Sequence, residues 1–253
     1  MMKFTVLFRR VLLALAGLFF SLGANSGAAI LLWPIDPWLA AERNASELWI
    51  ENRGDAPTTM QVRIVRWRQQ GGFERYQNQQ DVVASPPIVR IEKGNKQLIR
   101  LIKQTKAPDG AEQAYRIIVD EIPSSDNAGT PPMGLKIQMR YSLPLFVYGQ
   151  GIATWPGEEH HARASVPQLQ WRVIRENGAP FLEVRNQGAV HVRLSKTSVR
   201  QGSETRSLAD GLLGYVLPGS YRRWPLPPGM TQPTELTATI NAQGGQWQSG
   251  PTR

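Results

Sequence analysis

Side chains able to do acid–base, metal or nucleophilic chemistry are few in this chain of 253 residues. Cysteine is absent, which excludes a disulfide framework, a thiolate-held zinc or iron–sulfur centre and a cysteine nucleophile. Three histidines, His160, His161 and His191, leave little material for a His-rich metal site or a His-dependent general base. Glu158-Glu159-His160-His161 is the one cluster of metal-ligand types. Adjacent ligands in a polar turn rarely share one ion, and a solvated linker is its plainer reading. Asp120-Glu121 is a carboxylate pair, but neighbours on a strand point to opposite faces, which makes it a poor acid–base pair. No G-x-S-x-G elbow, P-loop or H-E-x-x-H occurs. The expectation is a protein that is not an enzyme and that needs no cofactor and no metal.

What remains is a row of apolar side chains. Leu135, Ile137, Met139, Tyr141 and Leu143 alternate with Lys136, Gln138, Arg140 and Ser142. Period two puts the apolar set on one face of a strand. Such a face packs on its own core, or it belongs to an edge strand that offers the row to another protein by β-augmentation. The pattern alone does not separate the two.

The elements that must carry this row are strands. Glycine (23) and proline (19) are too frequent for a helix bundle, and eight tryptophans among dispersed Val, Ile and Leu argue against disorder. Glu47–Asn52, Met60–Trp67, Ile88–Ile91, Gln97–Ile102, Tyr115–Ile122 and Leu135–Val147 have strand character. Turn signals lie between them at Asn52-Arg53-Gly54-Asp55, Gly71-Gly72, Ser85-Pro86-Pro87 and Lys93-Gly94-Asn95. Pro86-Pro87 reads as a rigid turn, with a cis bond open to it. A polar, turn-rich stretch after Gly151 reads as a linker. A second series follows: Leu169–Ile174, Phe181–Asn186, Val190–Val199, Gly214–Leu217, Tyr221–Leu226 and Leu236–Asn241, with Asn186-Gln187-Gly188 echoing Asn52-Arg53-Gly54. The fold class expected is all-β, as two sandwiches of immunoglobulin-like size, about 100 residues each. The divisions are residues 1–28, 29–150, 151–162 (the linker) and 163–253.

Residues 1–28 read as a secretory signal. Lys3, Arg9 and Arg10 precede an apolar Val11–Leu22, and small residues follow up to Ala28. Cleavage is expected after Ala28, with Ser26 as the alternative, and no stable membrane insertion follows it. Losing three positive charges lowers the net charge from +9 to about +6. The bases are dispersed, so nucleic acid is not an expected partner.

The chain resembles the periplasmic chaperones of chaperone–usher pili, and most of all their archaic, Csu-like branch. The resemblance runs in order through Leu32-Trp33-Pro34-Ile35, Ala45–Gly54, Gln61-Val62-Arg63 with Trp67, Ser85-Pro86-Pro87, and Gln97-Leu98-Ile99-Arg100. It continues through Glu112–Arg116, Asp120–Pro123 and Arg140–Phe146. The second half matches loosely, through Leu182–Asn186 and Leu217-Pro218-Gly219.

The resemblance implies two immunoglobulin-like β-sandwich domains set as a boomerang. It implies a Gram-negative periplasmic location, with pilus subunits and an outer-membrane usher as partners. The first domain would lend a strand to subunits that lack one, and Leu135, Ile137, Met139, Tyr141 and Leu143 fall on that donor strand. An exposed apolar row also allows self-association of the free chain.

Better-known members hold the subunit's terminal carboxylate with an Arg on the first strand and a Lys on the donor strand. Asp36 and Pro144 stand near those places here, so an anchor must come from elsewhere. Arg116 is the first candidate, Arg100 the second and Arg140 the third, each against a surface role or an internal ion pair to Glu112 or Asp120. Arg140 suffers because parity sets it opposite the donor row.

The rival reading is a β-sandwich adhesin or carbohydrate-binding envelope protein using exposed tryptophan. Trp33, Trp49 and Trp67 read more simply as core or sheet-face packing. An unrecognised envelope hydrolase is a further rival.

Overall fold

The computed structural model describes residues 30–123, 138–152, 168–241 and 246–252. Every regular element in them is a strand. The first ten are β1 (Ile30–Trp33), β2 (Trp38–Leu39), β3 (Ala45–Asn52), β4 (Thr58–Gln70), β5 (Phe73–Asn78), β6 (Val82–Ser85), β7 (Ile88–Ile91), β8 (Lys96–Lys103), β9 (Glu112–Ile122) and β10 (Arg140–Tyr148). They form two sheets, β1-β3-β8-β6 and β2-β10-β9-β4-β5, with β7 also on β4. The first segment therefore changes sheets. β1 runs antiparallel to β3, and after the cis Trp33-Pro34 bond β2 runs parallel to β10. The Ser85-Pro86 bond is cis as well.

Alternation explains the packing between these sheets. Leu48 and Ile50, Met60 and Val62, Ile99 and Leu101, Tyr115, Ile117 and Val119, and Leu145 and Val147 all point inward and are buried. The intervening residues of β4 and β9 form the opposite face. Asp120 and Glu121 accordingly part company: Asp120 meets Arg63 and Arg140, while Glu121 accepts from the Thr58 hydroxyl.

The second series is β11 (Leu169–Glu176), β12 (Ala179–Asn186), β13 (Val192–Gln201), β14 (Glu204–Val216), β15 (Tyr221–Pro225), β16 (Glu235–Ile240) and β17 (Gln246–Ser249). Its sheets are β11-β12-β15 and β14-β13-β16-β17. They enclose Trp171, Leu182, Val184, Val192, Leu194, Val199, Leu236 and Ala238. β14 is longer than the sequence suggested, and β1, β2, β5, β6 and β17 are not among the strands it marks. β5 and the first half of β14 are largely exposed, so they carry little of the periodicity that marks a half-buried strand.

Turn chemistry fixes two hairpins. Gly71 and Gly72 link β4 to β5 with φ of 63° and 86°, and Asn177-Gly178 links β11 to β12 with 49° and 82°. Both central residues at positive φ make a type I′ turn, whose twist suits paired strands.

The echoed Asn motifs do the same work in each half. Asn52 Oδ1 accepts from the Gly54 N–H, and its Nδ2 donates to Ala56 O and Ile91 O. Asn186 Oδ1 accepts from the Gly188 N–H, and its Nδ2 donates to Val190 O and Val216 O. Each buried amide thereby serves three backbone groups that would otherwise lack partners.

The two sandwiches meet over an apolar joint of Trp67, Ala114, Phe146 and Tyr148 from the first and Val190, Tyr215 and Leu217 from the second. Polar clasps flank it. Gln69 donates to Tyr215 O and accepts from the Leu217 N–H. Glu112, fully buried, accepts from the main-chain N–H of His191 and lies 2.7 Å from its ring Nδ1. The His191 ring stacks on Phe146 at 3.4 Å.

Candidate functional site

β10 carries Tyr141 and Leu143 of the apolar row, while Gln138 and Met139, expected in the same strand, precede it, and it has a half-open edge. One side is paired with β9 along its whole length, from Arg140↔Asp120 to Tyr148↔Glu112. The other side meets β2 only at Phe146 and Val147. Among the described residues its outward edge from Arg140 to Leu145 has no partner strand.

Hydrogen-bond parity can be read from one contact. The Glu121 N–H donates to Met139 O at 3.2 Å. Antiparallel pairs alternate between bonded and non-bonded residues, so the odd-numbered residues of β10 bond to β9 and the even-numbered ones face outward. Pro144, which has no N–H, falls on the outward side, where a sheet tolerates proline. The free edge therefore offers bonds at Arg140 and Ser142, loses its donor at Pro144, and is closed beyond by β2.

The side chains follow the same alternation. Leu145 and Val147 are fully buried in the core, and Tyr141 and Leu143 pack partly against it. Met139 is 41% exposed. The row thus starts inside the sandwich and runs out of its open end. Burial raises the Tyr141 phenol. Leu135 and Ile137 lie outside the described residues.

The three candidate arginines do not share one place. Arg100 is exposed on β8, opposite Glu47 and Ser85, in the other sheet. Arg140 and Arg116 both occupy the face of the β10-β9-β4 sheet that turns toward the joint. Arg140 is bound by Asp120, 2.5 Å from Nε to Oδ1, and Arg63 grips the other oxygen at 2.6 Å. Burial works to raise the Asp120 carboxyl, but the hydrogen bonds from Arg140 and Arg63 outweigh it and hold it below its ordinary range.

Arg116 is the Cα partner of Pro144. Its guanidinium lies over the Trp67 ring at 3.8 Å and near that of Tyr215 at 5.4 Å, a cation–π arrangement. Its Nε is buried with no acceptor among the described residues. Sequence reasoning had no access to these surroundings, because Tyr215 comes from the second sandwich. It also missed Arg222 on β15, whose Nη1 lies 2.5 Å from Glu74 Oε1 of the first sandwich.

Asp36 stands close enough to Tyr148 and Tyr215 to help burial raise both phenols. It therefore adds negative potential at one side of the cleft. The other tryptophans have structural places. Trp33 and Trp49 stack on each other at 6.1 Å and 8° on the outer face of their sheet, and Trp67 is buried in the joint. Among the described residues no group of His, Asp and Glu could hold a metal ion, and no helix is long and apolar enough to cross a membrane.

Comparison with known proteins agrees in both halves. Residues 38–153 match the N-terminal domain, and residues 164–249 the C-terminal domain, of the PapD pili and flagellar-assembly chaperones. The chain is 33% identical to a chain of the CsuC–CsuE chaperone–tip adhesion subunit pre-assembly complex from archaic chaperone-usher Csu pili of Acinetobacter baumannii. That match covers 89% of this chain and 99% of the other, with a TM-score of 0.73. The SafA pilin–SafB chaperone complex of Salmonella enterica is similar in fold, at 14% identity over 90% of this chain and 98% of that one, with a TM-score of 0.62. A fimbrial chaperone of Escherichia coli, the uncharacterized YhcA, is 23% identical over 154 residues. Those residues are 61% of this chain and 60% of that relative's length.

Proposed function

This chain belongs to the PapD family of pili-assembly chaperones, and on that premise we propose that it works by donor-strand complementation and delivers pilus subunits to an outer-membrane usher. The observation that carries the reading is the half-open edge of β10, with its apolar row running from the core toward solvent. A subunit lacking its last strand exposes an apolar groove and an unpaired sheet edge, and both invite aggregation. The β10 edge offers ladder bonds to the second defect and alternate side chains to the first. Leu135, Ile137, Met139, Tyr141 and Leu143 form the row. Burying three or four of them is worth roughly 1.5–3 kcal/mol each before ordering costs. No step in this action requires a catalytic group or a cofactor.

A borrowed strand along this edge runs out of ladder at Pro144, and Arg116 is the residue directly across from Pro144. A guanidinium grips a carboxylate bidentately, so Arg116 is the assigned anchor for the subunit's C-terminus. Arg100 sits on the wrong sheet for this task, and Arg140 is already engaged by Asp120. The divisions at 28, 150 and 162 are adopted with this reading, together with signal cleavage, periplasmic location in a Gram-negative cell, and self-association of the free chain through its apolar row.

The test is co-expression of the chain with pilins from its own gene neighbourhood, wild type beside Ile137→Asp. The quantity measured is soluble one-to-one complex recovered from the periplasm. Wild type recovers pilin, and the folded variant does not. Equal recovery by both would make the row mere core packing and return attention to the adhesin reading.

A further inference from the structure

The cleft beside the joint holds a second guanidinium that the first sandwich does not supply. Arg222 is the Cα partner of the buried Val184, so its register points it toward the core side of its sheet, where an apolar residue would serve the sandwich better. Instead it reaches Glu74 on β5 across the joint. Glu74 also accepts from the Trp67 indole N–H and, at 3.3 Å, from Gln69 Nε2. Arg116 lies on the face of that same Trp67. Tyr76, which is 53% exposed, borders the patch: partial burial and then Glu74 raise its phenol, and Arg116 and Arg222 act on it in the other direction.

The donors here outnumber the acceptors. Arg116 Nε, Arg222 Nε and Arg222 Nη1 are shut off from solvent, and none has an acceptor in hydrogen-bonding geometry among the described residues. The approach of Nη1 to Glu74 is ionic and off the N–H direction. Buried donors normally find acceptors, and those that do not need an explanation. Glu74 already accepts from Trp67 and Gln69 while it pairs with Arg222.

We infer that Arg222, from the second sandwich, joins Arg116 in holding the terminal carboxylate of the bound subunit, so that this anchor is assembled from both domains. The inference rests on the chaperone reading above. A carboxylate suits the patch because it brings two acceptor oxygens, and a strand that stops at Pro144 ends beside Arg116. Arg193, whose charge acts on the Tyr215 phenol, belongs to the same basic cleft but has no unsatisfied buried donor. Asp36 and Glu74 keep the cleft from being uniformly positive, which favours one placed anion over diffuse attraction.

The experiment uses the full chain co-expressed with a pilin from its gene neighbourhood. That pilin is made in its authentic form and with two residues added at its C-terminus, which moves the carboxylate away. Chaperones are wild type, Arg116→Ala, Arg222→Ala and Arg222→Lys. Arg222→Gln, which can still hydrogen-bond Glu74, replaces Arg222→Ala if that variant does not accumulate.

With authentic pilin, Arg222→Ala lowers the recovered complex about tenfold, the scale of one charge-assisted hydrogen bond, and Arg222→Lys recovers part of it. With extended pilin, wild type is itself weakened and Arg222→Ala weakens it no further. Equal losses on both pilins would make Arg222 only a tie between domains, and would overturn the inference. So would a normal yield from Arg222→Ala where Arg116→Ala fails, although the chaperone reading would then stand. An anchoring carboxylate on a subunit side chain would show as wild-type binding unaffected by the extension, and would likewise overturn it. If wild type recovers no pilin, both readings fall together.

Discussion

Asp120 is a carboxylate held by two arginines, and it shows how single residues here can be tested by titration. Burial alone would raise its carboxyl, and Arg140 and Arg63 turn the sign. A depressed folded-state value means that the pairing stabilises the fold above the ordinary carboxylate range, near pH 4, and that this contribution is lost as pH falls through the lowered value. Carbon-detected NMR titration of Asp120 gives a midpoint below the ordinary one, and Arg140→Ala moves it upward. A midpoint unmoved by that substitution would mean the pair does not form in solution. The twin asparagines allow a sharper stability test. Asn52→Ala leaves the Gly54 N–H and the Ala56 and Ile91 carbonyls without their side-chain partner, and Asn186→Ala does the same in the second sandwich. Each change costs about 3 kcal/mol in urea unfolding, as expected for stranded buried polar groups. The Asn-x-Gly echo was visible in the sequence because an Asx turn needs only neighbouring residues. Arg222 was not, because its meaning depends on Glu74 and Trp67, which are distant in the chain.

At the scale of elements, strand parity makes opposite predictions for neighbouring residues. Ser142 turns its N–H outward and Leu143 turns its own toward β9. Ser142→Pro therefore leaves the β9 ladder intact and gives a folded protein whose recovery of pilin falls severalfold. Leu143→Pro breaks a ladder bond inside the sheet and lowers stability by about 3 kcal/mol or more. A lower melting temperature for Ser142→Pro than for Leu143→Pro would show that the parity is reversed. The strands that were legible are those with one buried face, such as β3, β4, β8, β9 and β12. β5 and the first half of β14 were not, because they owe their pairing to the tight turns and long partners beside them, with little burial to leave a periodic trace. The apolar alternation at Tyr141 and Leu143 was legible, but whether it served the core or a partner was not. That question turns on which strand lies alongside, and β2 covers only Phe146 and Val147.

Across the whole molecule the joint is the part least visible in the sequence. Trp67, Phe146 and Tyr215 look like ordinary core residues until two sandwiches are set together. Gly149 illustrates the tightness near its border: a Cβ there would sit 1.8 Å from the Pro108 carbonyl oxygen. Gly149→Ala must displace that backbone and costs roughly 1–3 kcal/mol, read as a lower unfolding midpoint with the same transition width. Removing both polar clasps, with Gln69→Ala and Glu112→Ala together, loosens the joint without unfolding either half. Solution scattering then reports a larger radius of gyration while circular dichroism is unchanged. The way the β10 edge ends has a consequence in time as well as in space. Pro144 and β2 block one end, and among the described residues the other end, toward Met139, has no strand beside it. A strand laid on such an edge can be peeled, or a competitor threaded in, from one end only, so the order in which contacts break is written into the sheet before any partner arrives.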